Sequence, residues 1–351
     1  MQVEQLPPPI TGPSAWIGPQ FSQSPDWQAH LTEDEIREIE RAARRCLEED
    51  PDIAAIHRDR FVLPTLAPRL ASIHRELIDG GGVMLVRALP VSEWPLKVSA
   101  AAFYGLGTHL GNARPQNARG HLLGHVIDMG LRGDDPNVRI YQTHERQTFH
   151  TDSCDIVGLL CLQQANAGGD SAIVSSNAIF NAMRLECPAL AAALFDPIAT
   201  DRRGEVPQGQ KPYFEIPVFN WHQGLLSTIY QRQYIDSAQR FPDAMRLTPL
   251  HVEALDRFDA LANDARLNFE MRLATGDMQF VHNHTLLHDR TAFEDDPDPT
   301  RRRHLLRLWL SSPGARDLPP VFAQRFGSIV PGERGGGMAP KAIWNVPLAP
   351  A

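Results

Sequence analysis

Cysteine is scarce in this chain of 351 residues. Cys46, Cys154, Cys161 and Cys187 contain no Cys-x-x-Cys pair, which argues against a disulfide framework and predicts free thiols in a reducing compartment. Long apolar runs are also missing, none approaching the ~20 residues that cross a bilayer. The start, Met1-Gln-Val-Glu-Gln-Leu-Pro-Pro-Pro, has neither the basic stretch nor the apolar core of a secretory signal. A soluble, cytoplasmic protein with no membrane partner is expected. Basic charge is in deficit, with 34 Lys+Arg against 42 Asp+Glu for a net −8, so the surface would repel a polyphosphate and no nucleic-acid partner is expected. No segment repeats. Hydrophobic residues at 42% and charged residues at 22% exclude bulk disorder and leave ample material for a core.

Proline is in excess: 29 residues exceed the ~5% average and favour a strand- and loop-rich body over a helical bundle. Six prolines between Pro7 and Pro25 predict an extended arm over residues 1–30 that neither coils nor pairs. Thr32 and Glu35 form a capping box for a helix that Pro51 stops, and a second amphipathic stretch, Thr65–Ile78, ends at Gly80-Gly81-Gly82. Val83–Val86 then has the β-branching of a buried strand. Short apolar runs between turns follow, at Asn137–Thr143, Val157–Gln163, Ser171–Val174, Leu267–Leu273, Met278–His282 and Leu305–Leu310. Two helices interrupt them, one capped by Asn177 and one opened by Thr248-Pro249. The pattern predicts a mainly β protein with helical insertions. It reads as one domain overall, with an arm and helical cap over 1–79, a core over 80–313 and a C-terminal extension over 314–351. A homo-oligomer is allowed by the sequence, which carries no signal for one.

Among fourteen histidines, the run Phe149-His150-Thr151-Asp152 stands out. On a strand, residues two apart share a face, so His150 and Asp152 can present an imidazole and a carboxylate to one metal ion. His288, after the Gly276-Asp277 turn, completes a two-histidine, one-carboxylate set of the kind that binds Fe(II) and keeps positions open for a chelating co-substrate and dioxygen. Arg303 and Arg307 alternate with Leu305 and Trp309 on one strand face, about 13 Å apart at strand rise, which suits two different anions. Cys154 reads as packing, His282 and His284 as walls, and His144 as either pocket lining or turn.

These residues resemble the Fe(II)/2-oxoglutarate-dependent dioxygenases of the taurine dioxygenase type, in their clavaminate-synthase-like branch. Phe149-His150-Thr151-Asp152, Gly168-Gly169-Asp170-Ser171, Gly276-Asp277 with Asn283 and His288, and Arg303-x-x-x-Arg307 occur in the family's order, and Gly82–Pro90 is similar to its first core strand. The resemblance implies a double-stranded β-helix (jelly roll). It implies iron held by His150, Asp152 and His288, and 2-oxoglutarate held by Arg303, with Ser171 standing where a threonine usually assists. Arg307 matches a position that grips an anionic substrate group. The acidic loop over 294–299 leaves open which arginine faces the co-substrate. The implied reaction couples oxidative decarboxylation of 2-oxoglutarate to hydroxylation of a small, anionic organic acid or amino-acid-like substrate. Desaturation, epoxidation and ring closure stay open. The retained Asp152 disfavours halogenation, since halogenating relatives have a small residue there. The rivals are a zinc hydrolase on the same ligands and a non-catalytic jelly roll that binds an organic acid.

Overall fold

The alternation in Val83-Met84-Leu85-Val86 sends Met84 and Val86 toward a helical layer, and Val83 and Leu85 toward a second sheet. The computed structural model describes residues 3–135, 138–336 and 340–350. In it, Val83–Arg87 lies in a seven-stranded sheet ordered Gln28–His30, Val83–Arg87, Met278–His282, Ile156–Gln163, His304–Ser311, Asn112–Ala113, with Leu123–Val126 also paired to His304–Ser311. A four-stranded sheet faces it, ordered Asn268–Met271, Ser171–Ser175, Leu286–Arg290, Gln147–His150. The sheets close on an apolar layer that includes Ile173, Val281, Leu286 and Leu305. Helices Glu33–Glu49, Ala67–Asp79 and Leu96–Thr108 cover the larger sheet, and Ser176–Glu186, Pro188–Ala193 and Pro249–Ala262 cover the smaller. This is a jelly roll with helices on both outer faces.

Local signals set several boundaries. Thr32 accepts from the Glu35 amide while Glu35 accepts from the Thr32 amide, so the capping box forms. Thr248 caps Pro249–Ala262 by accepting from the His251 amide. Three expectations are corrected. The proline-rich arm does pair: Gln28–His30 runs parallel to Val83–Arg87, because Trp16, Phe21 and Trp27 cluster around Phe269 and hold the arm against the sheet. Asn137 lies outside the described residues, and the rest of its predicted strand is a 3-10 turn at Ile140–Gln142. There, Gln142 and Thr143 amides donate three residues back, to Arg139 and Ile140. The cap of Ser176–Glu186 is Ser175, whose hydroxyl accepts from the Ala178 amide; Asn177 instead reaches Ser14.

Leu96–Thr108 is buried from Val98 to Gly107 and comes close to its neighbours through glycine. A Cβ on Gly105 would stand 2.3 Å from the Phe61 ring. Helix propensity favours alanine over glycine by about 1 kcal/mol, whereas overpacking a core costs roughly 1–3 kcal/mol. Gly105→Ala is therefore expected to destabilise by up to about 2 kcal/mol, read as a lower midpoint in urea denaturation with an unchanged slope.

Candidate active site

Strand alternation delivers most of the site. Phe149 and Leu287 point out to the helices, so His150 and His288 point in between the sheets. The two sit directly opposite each other on antiparallel strands, with ring centroids 4.1 Å apart. Leu306 and Leu308 face the outer helical layer, so Arg307 and Trp309 face His150 and His288 from the larger sheet. Ser171 lies on the same inward side as Ile173. Ligand atoms of His150, Asp152 and His288 all lie within 4.8 Å of one another.

Asp152 arrives by a different route from the one its spacing suggests. Gln147–His150 ends before it, so the carboxylate is carried by a loop and not by a strand face. Asn283 pins that loop: its Oδ1 accepts from the Asp152 amide at 2.8 Å, and its Nδ2 donates to the carbonyls of Asp152 and of Cys154. Asp152 Oδ2 then accepts from Trp309 Nε1 at 2.8 Å and from Arg307 Nη1 at 3.3 Å. Gln116 clamps Arg307 from behind, taking its Nε–H at 2.7 Å and donating to its carbonyl.

Two cavities meet at this point. The inner one reaches from His150 and His288 to Ser171 and Arg303. Arg303 is 4% exposed, lies over the Phe293 ring at 5.1 Å, and has a buried Nη1 without a partner among the described residues. It passes close to Gly169, whose backbone has φ +74 and where a Cβ would stand 2.8 Å from Arg303 Nε. The outer cleft runs from His150, Asp152 and Trp309 to Arg139, Arg202 and Arg325. None of those three arginines, nor Gln147, Gln116 and Gln231, stood out in the sequence, since no spacing links them; only the fold brings them together. Cys154 is fully buried with Val157 and Trp309, as packing. His284 is bonded to Asp155, His282 to Thr285, and His144 is exposed beside Asp128.

The profile of the taurine catabolism dioxygenase TauD, TfdA family matches residues 47–309. The chain belongs to this family. It is 32% identical over 326 residues to FR-33289 synthase of Streptomyces rubellomurinus, covering 90% of this chain and 94% of that one. It is also 32% identical over 187 residues to a uridine-5'-phosphate dioxygenase of Amycolatopsis, covering 50% and 65%. An asparagine oxygenase solved with Fe(II), hydroxyasparagine and succinate shares the fold, with a TM-score of 0.62 at 19% identity over 81% of this chain and 93% of that one. This chain is thus a non-haem iron, 2-oxoglutarate-dependent dioxygenase.

The electrostatics of the dioxygenase site fit a metal. Burial opposes ionisation of Asp152, but Arg307, His288 and His150 overcome it and hold the carboxyl at about 2. Burial, then the neighbouring His150, pushes His288 down to about 3, and burial lowers His150. Two neutral imidazoles and an ionised carboxylate are the donor set that Fe(II) takes. His150 Nδ1 donates to the Thr148 carbonyl at 2.8 Å, leaving Nε2 as the acceptor, where it meets the Gln147 amide at 2.8 Å. No helix among the described residues is long and apolar enough to cross a membrane.

The lowered His288 value has a consequence for the metal-free dioxygenase. Below the ordinary histidine pKa of 6.5 the unfolded chain takes up a proton that the folded site refuses until about 3. Stability is therefore lost as pH falls from 6.5 toward 3. Between about pH 7 and about pH 5 this one group accounts for roughly 2 kcal/mol. His288→Gln should flatten the urea-denaturation stability curve by that amount over the same range; an unchanged slope would contradict the burial of a neutral imidazole.

Proposed function

We propose that this dioxygenase holds Fe(II) with His150, Asp152 and His288, binds 2-oxoglutarate in the inner cavity against Arg303 and Ser171, and oxidises a small organic acid or amino-acid-like substrate in the outer cleft. Hydroxylation is the default outcome. One observation carries the reading: the two cavities share His150, Gln147, Tyr141 and Arg307 as walls, one also reaching Asp152 and the other His288, so co-substrate and substrate can meet at one centre. Iron with 2-oxoglutarate and dioxygen supplies an oxidant that removes hydrogen from a substrate carbon.

The chain's own residues prepare that reaction. Burial pushes Arg303 down to about 10, yet it stays a cation at neutral pH, and its free Nη1 needs an anionic acceptor because an unpaired buried charge is costly. The distal carboxylate of 2-oxoglutarate meets that need through paired N–H donors. A zinc hydrolase would have no use for such a group. Arg307 is spoken for by Asp152 and Gln116, so its role is to fix the carboxylate's orientation together with Trp309, and the substrate's anion goes elsewhere. Gln147 must release His150 Nε2 for the metal. Gln231 bridges to His150 through the backbone and lines the outer cleft with both side-chain amide atoms buried and without a partner among the described residues, which suits a polar substrate. The relative named for uridine-5'-phosphate and the fold neighbour holding hydroxyasparagine both favour a compact polar molecule.

Anaerobic titration with Fe(II) and 2-oxoglutarate should raise a weak visible charge-transfer band, and Asp152→Ala should abolish it. Arg303→Gln should raise the 2-oxoglutarate concentration needed by roughly ten- to a hundredfold, the worth of a charge-assisted bond pair. A wild-type protein that gives no band, and whose 2-oxoglutarate binding ignores Arg303→Gln, would overturn the assignment.

A further inference from the structure

The far end of the outer cleft is built from three arginines drawn from distant parts of the chain. Arg139, Arg202 and Arg325 are each less than a tenth exposed and line the same cavity. Arg202 and Arg325 approach one ring, Phe214, at 5.5 and 5.8 Å. Their known bonds go to neutral groups. Arg202 reaches the Lys211 and Gln324 carbonyls and the Gln210 amide oxygen, and Arg325 donates from Nε to Ser153 Oγ at 2.7 Å. In both, Nη1 is buried with no partner among the described residues. Arg139 bonds the Gln116 carbonyl and has Glu205 at 3.9 Å. Asp201, the other carboxylate in this part of the wall, is already taken by Arg240 and Ser237.

We infer that this cluster is the anchor for a substrate phosphoryl or phosphonyl group, a tetrahedral dianion with three acceptor oxygens. The inference rests on the proposed function and names the substrate class that the outer cleft admits. One guanidinium saturates a carboxylate with two parallel bonds. Here two guanidiniums without carboxylate partners among the described residues, together with a third balanced only loosely by Glu205, present about two uncompensated charges and donors from more than one direction, which a –PO3 dianion matches in charge and in shape. Burial, then mutual repulsion with Arg139 and Arg202, pushes Arg325 down to about 9, the condition of a cation site that gains most from a dianion. The anchor is held in place. Arg203 fastens the segment leading to Arg139 by donating to the Asp135 and Val138 carbonyls at 2.6 and 2.7 Å. Arg325 is tied to Ser153, the neighbour of the ligand Asp152. The phosphorus group and the oxidised carbon therefore belong to one compact molecule.

Isothermal titration of the full-length, metal-free protein with methylphosphonate, methanesulfonate and acetate tests this without turnover. Methylphosphonate should bind at least about tenfold more tightly than methanesulfonate, its tetrahedral monoanionic counterpart, and should tighten as pH rises through its second ionisation. Arg325→Gln and Arg202→Gln should each weaken it about tenfold or more, with 2-oxoglutarate binding, which depends on Arg303, unchanged. Equal affinity for the three anions, or methylphosphonate binding that survives the Arg202→Gln/Arg325→Gln double variant, overturns the anchor. Should either variant lose its thermal transition, the wild-type rank order alone decides. Loss of the 2-oxoglutarate-dependent charge-transfer band with intact methylphosphonate binding would count against the proposed oxidation and leave the anchor standing.

Discussion

Keeping a carboxylate ionised between two apolar sheets is the constraint around which this molecule is organised. Asp152 is buried, and burial alone would favour its protonated form. Its charge is kept by Arg307 and by the indole N–H of Trp309, and Arg307 in turn needs Gln116 on its other side. Arg307 and Trp309 sit on the inward face of His304–Ser311, the strand that also pairs with Ile156–Gln163 and Leu123–Val126. The requirement for one charged ligand thus reaches into the register of the larger sheet.

A second buried carboxylate works the same way one turn of chain later. Asp155 is fully buried and accepts from His284, Arg334 and the Ser312 amide. Arg334 is itself fully buried and bonds the Arg316 and Ile329 carbonyls. The pair fastens the C-terminal segment to the loop that carries Asp152. Breaking such a pair from one side leaves a stranded charge, which costs far more than the pair gains over apolar packing. The loop is therefore held from Asn283 on one side and from Asp155 on the other. A metal ligand off a strand can be as well fixed as one on it.

Charge compensation also separates the roles of the buried arginines. Arg307 has a protein carboxylate and acts within the chain. Among the described residues Arg303, Arg202 and Arg325 have no carboxylate partner, and each keeps a buried N–H without an acceptor. Arg303 lines one cavity and Arg202 and Arg325 the other, and both cavities have His150 in their walls.

Much of this could be read from short-range pattern. Period-two alternation put Arg303, Leu305, Arg307 and Trp309 on one strand face without coordinates, and the capping box at Thr32 and the Thr248-Pro249 pair marked helix starts from neighbouring residues alone. The order of the motifs around His150, Asp152, His288 and Arg303 carried the family. Interactions between distant segments could not be read that way. The proline-rich arm pairs at Gln28–His30 because aromatic contacts with Phe269 hold it against the sheet. Asp152 reaches the site through an Asn283 amide 131 residues away. Whether Arg307 meets a substrate or a protein carboxylate, and whether Arg139, Arg202 and Arg325 meet at all, depends on where burial leaves charge unpaired, and only the closed tertiary structure decides that.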